Sequence, residues 1–149
     1  MNGDALGKLS DGPRDDRLTT SDDRLKRPRG ALIAFRQSGG LRFSTREVIV
    51  YTDGRVIARR QGKLDASEGS RRITAAEVAE LKEMIKQSSL FGLPRSIGRQ
   101  SPDGYAYELI ARLGRKSKSI EFFDGSIPSE VQLLLAQLKT LTTVDNAQE

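Results

Sequence analysis

Glu47-Val48-Ile49-Val50-Tyr51-Thr52-Asp53-Gly54-Arg55-Val56-Ile57-Ala58-Arg59 is the stretch whose reading decides the fold. Two runs rich in Val and Ile flank an Asp-Gly pair, and both turn residues tolerate positive φ, so the spacing predicts a β-hairpin closed at Asp53-Gly54. Upstream, residues 31–36 read as a preceding strand. Ser38-Gly39-Gly40 breaks it, because glycines allow backbone angles that other residues resist. Downstream, residues 61–71 are polar and glycine-bearing and read as a loop.

Thr74 stands three residues before Glu77, the spacing of a capping box, and Val78, Leu81 and Ile85 follow the helical period. An amphipathic helix over 75–88 is predicted, with Pro94 preventing continuation beyond Leu90, Phe91 and Leu93. Residues 95–104 read as a loop. Tyr105, Tyr107, Leu109, Ala111 and Leu113 then alternate with Ala106, Glu108, Ile110 and Arg112, the period of a strand with one mainly buried face. A turn near Gly114-Arg115 leads to a second strand over 119–123. Pro128 suits the first turn of a helix whose apolar stripe is Val131, Leu134, Leu135, Leu138 and Leu141. The order β-β-β-α-β-β-α predicts an α+β fold, a single antiparallel sheet of four to five strands with two helices on one face.

The 149 residues fit one domain with tails: a flexible charged arm over 1–29, the folded part over 30–142 and a disordered C-terminal tail over 143–149. Six Asp and seven Lys or Arg crowd the arm, which offers too little apolar surface to offset the entropy of ordering it. Within it Asp15-Asp16-Arg17-Leu18 recurs as Asp22-Asp23-Arg24-Leu25, and Lys26, Arg27 and Arg29 follow. Leu18, Leu25, Lys26, Arg27 and Arg29 are therefore candidate arm contacts to a partner. No stretch approaches the roughly 20 apolar residues of a bilayer span, and the first ten residues lack a secretory apolar run. A cytoplasmic protein with no membrane span is expected.

Cysteine, histidine and tryptophan are absent. Their absence removes disulfides, thiolate nucleophiles, Cys/His zinc sites and every His-based acid/base pair. The adjacent carboxylates Asp15-Asp16 and Asp22-Asp23 lie in the arm, where nothing fixes coordination geometry or excludes water. Lys116-Ser117-Lys118-Ser119 follows a hairpin turn, an exposed place for a pair that needs a buried lysine. Gly39-Gly40 lacks the spacing of the phosphate-binding loops. The expectation is a noncatalytic binding protein with no catalytic residue, no metal and no cofactor.

Two partner classes fit those residues. Arg55, Arg59, Arg60 and Lys63, then Arg71 and Arg72, then Arg112, Arg115, Lys116 and Lys118 form a positive strip for nucleic acid if their segments neighbour one another. Edge strands use the same residues to block sheet-to-sheet pairing. Alternatively, exposed turns present main-chain groups and a few apolar side chains to another protein. The candidate partner-binding residues are then Ser38, Gly39, Gly40, Leu41, Phe43 and Tyr105.

Phe35-Arg36-Gln37-Ser38-Gly39-Gly40, Leu90-Phe91-Gly92-Leu93-Pro94, Asp103-Gly104-Tyr105-Ala106-Tyr107-Glu108-Leu109 and Ile127-Pro128 before a leucine-rich helix together resemble the emfourin family. The likeness runs over about residues 32–141. Gln37 interrupts the Arg-Ser-Gly-Gly-Phe start expected there, and Leu41 replaces its aromatic. The resemblance implies a small bacterial inhibitor of protealysin and other thermolysin-like zinc metallopeptidases. The second expectation is an accessory or scaffold subunit of a larger assembly, anchored by its arm, and the third is nucleic-acid binding.

Overall fold

Residues 25–40, 44–62 and 64–142 are described by this computed structural model. The elements run β1 (Ala31–Gly39), β2 (Ser44–Tyr51), β3 (Arg55–Gln61), β4 (Ala66–Arg72), α1 (Ala75–Gln87), β5 (Ser96–Ile97), β6 (Tyr105–Leu113), β7 (Lys116–Phe123) and α2 (Ser129–Leu141). A 3-10 turn occupies Leu90–Gly92. The expected arm up to Arg24 and the expected tail lie outside the described residues.

The Asp53-Gly54 hairpin forms as its chemistry requires. Gly54 has φ +95° and donates its N–H to the Tyr51 carbonyl at 3.0 Å. Its own carbonyl accepts the Ile73 N–H at 2.8 Å, tying the hairpin to the segment that enters α1. A Cβ at this position would stand 2.6 Å from the Ile73 carbonyl oxygen, so both the angle and the approach demand glycine.

The strands make one seven-stranded sheet in the order β4-β3-β2-β1-β6-β7-β5. This corrects the expected four to five strands in two places. Residues 66–71, read as loop, form β4 together with Arg72 and pair antiparallel with β3 from Arg55↔Arg72 to Gln61↔Ala66. Ser96–Ile97, also read as loop, pairs parallel with β7, so the sheet is not wholly antiparallel. Neither strand buries a residue, and both are held by backbone pairing to an inner strand.

At the centre, β1 is buried on both faces: Ala31 through Phe35 are at most 3% exposed. Ile33 and Phe35 face a core shared with Val48, Leu109, Phe122 and the apolar sides of α1 and α2, so both helices cover this one face. The capping box of α1 is complete. Thr74 Oγ1 accepts the Glu77 N–H at 3.1 Å, and Glu77 Oε1 accepts the Thr74 N–H at 2.8 Å. On the opposite face Leu25 packs with Ala31, Ala34 and Ile49, bordered by Tyr51 and Ile110. Its N–H donates to Glu108 Oε1 at 3.1 Å. Among the described residues, no helix is long and apolar enough to cross a membrane.

Replacing Gly54 by Ala should lower the free energy of unfolding by about 2 kcal/mol, because the new Cβ meets backbone at a strained φ. Gly92→Ala, with no positive φ and no atom within 4 Å of its Cβ, is the control. It should change stability by no more than about 0.5 kcal/mol in urea titration.

Candidate interaction surface

Pairing of β1 with β6 sets Gly39 opposite Tyr105. Both glycines of the turn hold positive φ, +119° at Gly39 and +88° at Gly40. A Cβ on Gly39 would lie 2.5 Å from the Gly104 carbonyl oxygen, and one on Gly40 3.0 Å from the Tyr105 hydroxyl. Gly40 also donates its N–H to the Gly104 carbonyl at 3.4 Å. The backbone therefore passes close against β6 where only glycine fits. Gly39, Gly40 and Tyr105, chosen from separate turns of the sequence, meet at one end of the sheet. Ser38 sits one register step inward, between Thr45 and Ala106.

Asp124 holds this end together. Its Oδ2 accepts the Tyr105 N–H at 2.7 Å, its Oδ1 accepts the Tyr107 hydroxyl at 2.9 Å, and its own N–H donates to the Tyr105 carbonyl at 3.1 Å. One carboxylate thus ties the start of β6 to the end of β7. The Tyr107 ring stacks with Phe35 at 6.3 Å between centroids and tilts against Tyr105 at 6.4 Å. Lys139 Nζ lies 4.9 Å from the centre of the Tyr107 ring. Tyr107 is 4% exposed, and burial first, then the bond to Asp124, raises its phenol well above the ordinary value. In the sequence Tyr107 reads only as part of a buried strand face, and Asp124 carries no mark of its own. No local signal links Asp124 to residues so far upstream.

The other candidates are dispersed. Leu41, Phe43 and Leu18 lie outside the described residues. Leu25 is buried against the chain's own sheet, Lys26 and Arg29 are exposed, and Arg27 Nη1 donates to the Ala31 carbonyl at 2.9 Å. Of the basic strip, Arg55, Arg59, Arg60, Arg71 and Arg72 share the neighbouring β3 and β4, β2 and β1 separate them from Arg112, Arg115, Lys116 and Lys118, and Lys63 lies outside the described residues. Carboxylates of the chain engage several of these cations: Arg55 meets Asp53 at 3.1 Å, and Arg59 meets Glu47 at 3.1 Å and Glu68 at 3.3 Å. The bond from the Arg55 backbone N–H, ahead of the guanidinium, holds the Asp53 carboxyl below its usual value. Arg36 and Glu108 pair at 2.8 Å on the face that carries Leu25.

Among the described residues, no three His, Cys, Asp or Glu side chains converge to hold a metal ion. The glycine end offers main-chain groups, a close-packed turn and the partly exposed Tyr105 ring. These are means of recognition by shape. No protein-family model matches the chain, and no curated protein matches it at a significant level.

Tyr107→Phe should cost about 1 kcal/mol at neutral pH by removing the bond to Asp124. The native phenol keeps its proton where the unfolded one, with an ordinary value of 10.0, loses it. The Tyr107 contribution is therefore complete below that value and declines as pH rises above it. Urea melts of both proteins across the alkaline range should show the stability gap closing, whereas a constant gap would place the phenol at its ordinary value.

Proposed function

We propose that this chain is a noncatalytic protein-binding domain that inhibits a thermolysin-like metallopeptidase, docking through the end of the sheet where Gly39, Gly40 and Tyr105 meet. The observation that carries the reading is the clamp by Asp124, which ties the start of β6 to the end of β7 before contact, so Tyr105 loses little freedom on binding. The likeness to emfourins supplies the class of partner. A chain without His or Cys reaches a catalytic zinc only through a carboxylate or a carbonyl, and otherwise blocks the cleft without ligating it. In this reading the Leu41 or Phe43 side chain fills an apolar subsite.

A second reading, an accessory subunit gripped through its N-terminal residues, is favoured by Leu25, which seats the chain on the uncovered sheet face directly after residues 1–24. Deleting 1–24 separates the two, because it spares an inhibitor and dismantles an assembly.

Titration of a thermolysin-like peptidase with the purified chain should abolish hydrolysis of a fluorogenic peptide near equimolar ratio. Tyr105→Ala should weaken inhibition by about tenfold while keeping its melting transition. Full peptidase activity at micromolar excess of the chain overturns the inhibitor reading.

A further inference from the structure

At the far end of β1 from the glycine turn, a pocket of about 390 Å³ opens between the segment before β1, the second half of α1 and the turn joining β6 to β7. Four cations line it: Arg27, Lys82, Lys86 and Arg112. The partly exposed Leu113 contributes apolar wall, with the buried Leu32 behind it, and no carboxylate lines it. Its volume falls within the range of about 300–1,000 Å³ of small-molecule sites.

Two features mark the cations at this end. Arg27 Nη1 and Arg112 Nε each donate to a backbone carbonyl, of Ala31 and Gly114, both at 2.9 Å, which fixes the guanidinium groups without neutralising them. Across the uncovered sheet face Arg36, Arg55 and Arg59 all meet carboxylates, whereas none of the four pocket cations forms an ion pair among the described residues. Lys82 and Lys86 stand one helical turn apart, a like-charge spacing that disfavours the helix unless an anion intervenes.

We propose that this pocket binds a small organic phosphate, its dianionic group held by Arg27, Lys82, Lys86 and Arg112 and its apolar body resting on Leu113. Forked arginine donors suit phosphate oxygens, and two flexible lysines of α1 add charge. The site is separate from the glycine end and stands whether or not the chain inhibits a peptidase.

Calorimetric titration of the full chain with hexyl phosphate and with inorganic phosphate tests it. Hexyl phosphate should bind saturably and about tenfold more tightly than inorganic phosphate, since only the ester reaches Leu113. The double variant K82Q/K86Q should weaken hexyl phosphate by about tenfold or more while keeping its melting transition, because both lysines are exposed on α1. Cosedimentation with phosphatidic-acid vesicles, lost in the double variant, assigns the phosphate to a lipid headgroup. Binding of the ester without cosedimentation assigns it to a soluble metabolite. Absence of saturable heat at millimolar ester, or equal affinity in wild type and double variant, overturns the proposal.

Discussion

A strand with apolar side chains on both faces has to be covered twice, and β1 imposes that requirement on the whole chain. Phe35 and Ile33 are fully buried beneath the helices, while Ala34 is fully buried on the other side. Each large side chain removed from water there contributes about 1.5–3 kcal/mol. One cover is the pair of amphipathic helices, and the other is the short stretch led by Leu25. The hydrogen-bonding edges of β1 are satisfied by β2 through a local turn and by β6 from the second half of the chain. The second pairing closes a long loop at an entropic cost that grows slowly with length. It also determines what meets at either end of the sheet.

The two ends differ in chemistry because β1 and β6 run in opposite directions. Where β1 finishes and β6 starts, glycines and tyrosines crowd together around Asp124, and close packing dominates. Where β1 starts and β6 finishes, arginines and lysines gather around an apolar wall, and charge dominates. Between the ends the uncovered face carries cross-strand pairs such as Arg36 with Glu108 and Arg59 with Glu47. Such exposed or half-exposed pairs fix register more than they add stability.

Much of this was legible in the residues. Asp53-Gly54 between Val/Ile runs, Thr74 with Glu77, and the alternation from Tyr105 to Leu113 each carry a local mechanism, and each appears in the structure. β4 was illegible because Ala66–Arg72 holds no large apolar residue and buries nothing, so no apolar periodicity marks it. It is a strand because β3 offers it a ladder of backbone partners. β5 is only two residues long, and its parallel pairing follows from the placement of the loop before β6. The turn residues of the candidate surface were readable one by one as glycine turns and an exposed tyrosine. Their meeting was not, since it depends on β1 pairing with a strand from the other half of the chain. Asp124 and the pocket lysines escaped for the same reason, as each acquires its role only from elements far away in sequence.

Leu25 shows where this molecule can be shortened. A protease that cut after Arg24 would leave the leucine seated and the small cluster dry. One that cut after Arg29 would strip it away and leave Ala34, Ile49 and Ile110 facing water, a greasy spot on an otherwise charged slab. Solubility of a trimmed product therefore turns on a few residues that composition alone would assign to a dispensable tail.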